Sequence, residues 1–167
     1  MTRRRGLLLL ALQTALLLSL AGRLLLDRAL RPRGWARTAP IDPELPIRGR
    51  YLSVVLQVPV QGLRAGQPWP DTLRLVPRGD RVVGEPVAPG KPGQGPRMAA
   101  TRLPDGEAQL FPPLAFFLPE HGKDPSRRAA GEELWAEVSL PEQGEPRPIR
   151  LGVRRAGQRD PLPLPLR

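Results

Sequence analysis

The chain has 167 residues, of which 40% are hydrophobic, 4% aromatic, 23 Pro and 17 Gly; that is room for one domain and an appendage. Its net charge of +10 is unevenly placed: residues 1–37 hold eight arginines against one acid, Asp27, whereas the other 130 residues hold 18 bases and 15 acids. The excess flanks an apolar run, where it meets lipid headgroups, so it argues for a membrane and against nucleic acid as partner, and the lack of cysteine excludes disulfides, Cys-ligated zinc and thiol catalysis.

Residues 1–5 are a basic start containing Arg3, Arg4 and Arg5. Residues 6–22 carry no charge; Arg23 interrupts, and Leu24, Leu25 and Leu26 resume the run. As a helix, residues 6–26 would be ~31 Å long, enough for a bilayer core. Arg23 falls within a turn of its end, where a long stem carries the guanidinium to the headgroups. Only a helix satisfies its own backbone in lipid, so a spanning helix contacting the bilayer is the expected form. The competing reading is a signal peptide cut after Ser19-Leu20-Ala21, and a soluble core helix is the weakest of the three. Arginines follow the helix as well as precede it, so orientation rests on the export-type layout, which favours a C-terminal domain outside the cytoplasm.

Residues 27–46, with prolines at 32, 40, 43 and 46, read as an extended tether. Trp35 within it is expected either to rest at the membrane interface or to cap the domain. A β-rich domain is expected over residues 47–156. Its best strand is residues 51–58, apolar enough to be buried on both faces. Residues 72–76 and 81–87 flank Pro77-Arg-Gly-Asp80 as a hairpin, and residues 97–103 and 107–111 flank Pro104-Asp-Gly106 as another. Residues 88–96 form a Gly/Pro loop and 114–118 a further apolar strand; 124–130 offer a short helix. Residues 133–140 and 148–153 close the strand pattern, and 157–167 is a Pro-rich tail suited to polyproline conformation. The fold class expected is therefore mostly β, a small sandwich or barrel-like sheet with one short helix, preceded by one transmembrane helix.

Two stretches carry a family resemblance. Ile41-Asp-Pro-Glu-Leu-Pro-Ile-Arg-Gly-Arg-Tyr-Leu-Ser-Val-Val-Leu56, together with Phe116-Phe-Leu-Pro-Glu-His-Gly-Lys123 and the later Leu134-Trp-Ala-Glu-Val138, resembles a family of bacterial membrane-anchored proteins named for its GDYxxLxY motif. Gly49 and Tyr51 match the motif, while Arg50, Val54 and Leu56 stand where the family has Asp, Leu and Tyr. Pro119 and Glu120 belong to the second stretch. The resemblance implies an anchored extracytoplasmic β domain in the bacterial inner membrane, on its periplasmic side, and brings no activity, cofactor or catalytic residue. Gly49 is expected to turn the chain into the strand, and Tyr51 to pack its ring with the hydroxyl bonded.

Catalytic signals are sparse. His121, the only histidine, adjoins Glu120 and offers a general base for an envelope hydrolase, but a polar loop accounts for both more simply. One histidine with scattered carboxylates falls short of a metal set. Ser19, Ser53, Ser126 and Ser139 lack a G-x-S-x-G setting. Arg78-Gly79-Asp80 reads as turn chemistry, and residues 90–95 do not form a phosphate loop. The expectation is a non-catalytic protein without cofactor or metal, binding a membrane protein or an envelope component. A secreted β domain released by signal cleavage, or the hydrolase, is the alternative.

Overall fold

The computed structural model describes residues 2–41, 51–64, 66–87, 93–119 and 124–165, and the chain divides into two compact units, Met1–Arg31 and Pro32–Arg167. The first is helix α1, Thr2–Leu30, longer at both ends than residues 6–26. Its window Gly6–Arg23 has no buried residue and is long and apolar enough to cross a membrane, a property that signal sequences share. Two of its polar side chains bond back along the helix: Thr14 Oγ1 donates to the Leu10 carbonyl and Ser19 Oγ to that of Leu16, each at 2.9 Å. Such back-bonding leaves these hydroxyls needing no water.

The second unit is mostly β. Its strands are β1 (Arg33–Ile41), β2 (Tyr51–Val58), β3 (Thr72–Arg78), β4 (Arg81–Pro86), β5 (Arg97–Arg102), β6 (Ala108–Phe117), β7 (Glu132–Ser139), β8 (Arg147–Arg155) and β9 (Leu162–Pro163). All nine belong to one sheet in the order β2-β6-β5-β3-β4-β1-β7-β8-β9, and β2 also pairs with β1, which closes part of the sheet on itself. Arg37 pairs with both Gln57 of β2 and Trp135 of β7, and Trp35 with both Arg81 of β4 and Glu137 of β7. A strand residue has two edges, so β7 occupies one edge of β1 while β4 and β2 share the other. The five strands β2-β6-β5-β3-β4 thus curl until their two ends meet along β1, and β7-β8-β9 extends from its far side. Residues 59–61 complete the seam, the Gly84 amide donating to the Pro59 carbonyl and the Gln61 amide to that of Gly84 (2.9 Å each).

Alternation along the strands fills one interior. Leu52, Val54, Leu56 and Val58 of β2 join Leu73 and Leu75 of β3, Leu110 and Leu114 of β6, and Leu134, Ala136 and Val138 of β7 in a single buried cluster. Ser53 and Val55, on the opposite face of β2, are buried as well, as its near-continuous apolarity requires. Both hairpins form. Gly79, at φ 63, turns β3 into β4, and Gly106, at φ 85, closes the turn in which the Leu103 amide donates to the Glu107 carbonyl at 2.8 Å.

Four expectations are corrected. The tether of residues 27–46 is corrected over its described part: residues 27–30 belong to α1, and Arg33–Ile41 is strand β1, on which the sheet closes, with Trp35 packed into the domain at 9% exposure; residues 42–46 lie outside the described residues. Residues 124–130 form turns, with Asp124 Oδ1 accepting from the Ser126 amide and hydroxyl, and no helix; the side chain competes for the backbone as short polar residues do. Residues 107–111 and 114–118 are one strand, β6, because Pro112 and Pro113 fall where its register against β2 shifts and need no ladder amide. The tail is not wholly free polyproline: Leu162–Pro163 adds to β8, and the Leu164 amide donates to the Leu151 carbonyl at 2.9 Å.

Candidate functional site: a tryptophan–arginine cleft at the seam

Where β4 and the end of β2 part along β1, a cleft of about 430 Å3 opens, lined among others by Trp35, Arg37, Arg81, Trp135, Arg154 and Arg159. Strand alternation supplies these side chains: Ala36, Leu134 and Ala136 turn into the core, so Trp35, Arg37 and Trp135 turn out. Two glycines make the approach possible. A Cβ on Gly34 would stand 2.9 Å from Val82 Cγ2 and 3.0 Å from the Arg81 carbonyl carbon, and one on Gly152 would stand 2.7 Å from the Trp35 ring. Both distances lie well inside van der Waals contact, so β1 reaches β4, and Trp35 reaches β8, only because no Cβ intervenes.

The cleft is held by charge. The Arg81 and Arg154 guanidiniums lie 4.2 and 4.7 Å from the centroid of the Trp135 ring, and Arg150 lies 5.6 Å from that of Trp35. Glu133 gathers three donors, Trp135 Nε1 at 3.0 Å, Arg154 Nε at 2.9 Å and Arg154 Nη2 at 2.7 Å. Arg37 Nη2 donates to Asp105 Oδ2 at 2.8 Å and to Glu107 Oε2 at 2.7 Å. The Glu107 amide and the Arg37 guanidinium together hold the Asp105 carboxyl below its ordinary pKa. Beside the cleft the β7–β8 register places Glu132 opposite Arg155, Glu133 opposite Arg154 and Glu137 opposite Arg150, and each pair forms an ion pair.

Arg81 is bound differently. Its Nη2 donates to the Arg159 carbonyl, Asp80 and Asp160 pair with it at 3.7 and 3.8 Å, and its Nη1 is buried without a hydrogen-bond partner among the described residues. Among the described residues the lining offers aromatic walls, guanidinium donors and side-chain amides, and its carboxylate, Glu107, is committed to Arg37. Among the described residues, no three His, Cys, Asp or Glu side chains group as a metal site would require.

No protein-family model matches this chain, and no curated protein or solved structure does either.

The residues singled out in the sequence lie elsewhere. Tyr51 opens β2, half-buried and in register with Phe117, while Val54 and Leu56 are core residues opposite Leu114 and Leu110. The two stretches that carry the family resemblance are therefore in part neighbouring strands, β2 and β6. Pro119 follows β6 at the surface, and Arg23 is exposed on α1. Gly49, Arg50, Glu120 and His121 lie outside the described residues, as do the side chains of Arg3, Arg4 and Arg5. Ser53 and Ser139 are buried strand residues rather than members of a surface site. The cleft draws on residues from 35 to 159 and has no local motif. One signal was available: Glu133 and Glu137 are spaced as Arg150 and Arg154 are, mirrored about the intervening turn.

Proposed function

We propose that this chain is a single-pass, membrane-anchored, non-catalytic protein of the bacterial envelope, whose β domain binds a membrane-protein or envelope partner from the periplasmic side. The observation that carries the reading is the division of the chain into an unburied apolar helix and a second compact unit, a sheet that bears the tryptophan–arginine cleft. The GDYxxLxY resemblance supports the same layout. The anchor reading takes α1, which runs on past residue 21 to Leu30, as one retained spanning helix.

Fractionation of cells expressing the C-terminally tagged chain tests the reading. The full-length protein is expected in the inner-membrane fraction, resistant to carbonate extraction, with the tag digested when protease is admitted to the periplasm. Recovery of a soluble periplasmic species beginning at Gly22 would replace the anchor by a signal peptide. Recovery at full length from cytosol would end the proposal altogether.

A further inference from the structure

We infer that the seam cleft receives a carboxylate side chain from an acidic, extended segment of a protein partner, with Arg81 and Arg159 as its receptors. The inference deepens the binding role proposed above and rests on it. It starts from how the four lining arginines are neutralised. Asp105 and Glu107 neutralise Arg37, whose Nε is nevertheless buried without an acceptor among the described residues, and Glu133 neutralises Arg154, all at 2.9 Å or less. The other two are held less closely. Arg81 meets Asp80 and Asp160 only at 3.7 and 3.8 Å, beyond hydrogen-bond length, and those carboxylates are 55% and 60% exposed. Arg159, an exposed residue on the rim, makes no ion pair among the described residues.

Arg81 is also the drier cation. Its side chain is 23% exposed and lies over Trp135, and its Nη1, like Arg37 Nε, is buried without an acceptor among the described residues. A guanidinium held in that way against an aromatic wall gains more from an incoming anion than one in open water. The anion fits one charge rather than two, because Asp80 and Asp160 stand within 4 Å of Arg81 and repel a dianion more strongly. The same wall already pairs arginine with carboxylate three times across β7 and β8. Asp160 then serves as the resident competitor, loosely seated where the partner's carboxylate binds. An extended segment suits the site because its backbone can run along the two tryptophans while one acidic side chain enters.

The test uses the full-length protein in nanodiscs of phosphatidylcholine, with tryptophan emission as the readout. The probes are an N-acetylated tetraglutamate peptide, the tetraglutamine peptide and inorganic phosphate. Saturable binding of tetraglutamate is expected, with tetraglutamine and phosphate weaker by ~10-fold or more. Arg159→Gln, a change at an exposed position, should weaken tetraglutamate binding by ~10-fold without altering the thermal midpoint. Asp160→Asn should tighten it several-fold, a result that a merely structural role for Asp160 would not give. Equal binding of tetraglutamine, phosphate bound as tightly as peptide, or indifference to both substitutions would each overturn the inference. A membrane-resident protein that ignores tetraglutamate sinks this inference alone, whereas a soluble protein that binds it sinks the anchor and leaves the cleft's chemistry standing.

Discussion

The wall made by β2 and β6 and the wall made by β1, β7 and β8 belong to one sheet and share one core, yet their outward faces are built on opposite principles. In the first, Leu52, Val54, Leu56, Leu110 and Leu114 pack inward, and even the outward Ser53 and Val55 of β2 are covered. In the second, the outward positions carry Trp35, Trp135, Glu133, Glu137, Arg150 and Arg154, paired in register. Hydrophobic burial is non-directional and tolerates only a loss of volume or a clash, whereas the charged wall depends on which donor meets which acceptor. Both walls feed the one core with their inward side chains, and the charged wall adds outward, directional contacts on which the proposed binding would rest.

Substitutions on the two walls sharpen that contrast. The largest loss is expected from Leu110→Ala, which empties a site with no solvent exposure opposite Leu56: about 2–5 kcal/mol in urea unfolding. Gly152→Val forces a side chain into the Trp35 ring and should cost about 1–3 kcal/mol, only part of it recovered in the Trp35→Ala background, where the Leu162 carbonyl still stands 3.0 Å from the added Cβ. Glu133→Gln leaves Arg154 and Trp135 Nε1 without their shared carboxylate. Its partial exposure limits the effect to about 0.5–1 kcal/mol, with a change in tryptophan emission as the clearer sign.

Acid should act on a smaller scale. Hydrogen bonding from Arg74, and then from Arg78, holds the Glu85 carboxyl below its ordinary value of 4.5. A carboxyl depressed in the folded state stabilises fully above its unfolded pKa, so this contribution falls away as pH drops from about 4.5 through the lower folded value. Glu85→Gln should flatten that part of the pH–stability curve. Least of all, Arg155→Gln, at a side chain 67% exposed, should stay within about 0.5 kcal/mol by thermal melting. A loss above that size would show that the outer pairs carry structure after all.

The apolar wall was legible because its signal is local. Tyr51 to Val58 is strand-like in composition, and residues 77–80 and 104–106 advertise turns. β1 was not legible. Arg33-Gly-Trp-Ala-Arg-Thr-Ala-Pro-Ile41 has neither alternation nor a β-branched run, because its neighbours change along its length and Pro40 stands beyond the reach of β7, where no amide is needed on that edge. A segment whose faces are defined by three different strands shows no period of its own. The cleft was hidden for a related reason. Trp35, Arg81, Trp135 and Arg159 are brought together by the closure of the sheet, and closure through β1 is what the sequence concealed.

The position of β1 decides where the protein can be cut. A leader peptidase acting after Ala21 would leave Arg33–Ile41 untouched, so the processed and the retained chains would share one fold. A soluble fragment started at residue 47, where composition places the domain border, would lack the strand on which β2, β4 and β7 converge. Such a fragment would expose three unpaired edges and aggregate, whereas one started at Pro32 keeps its first hydrogen bond, from the Leu140 amide.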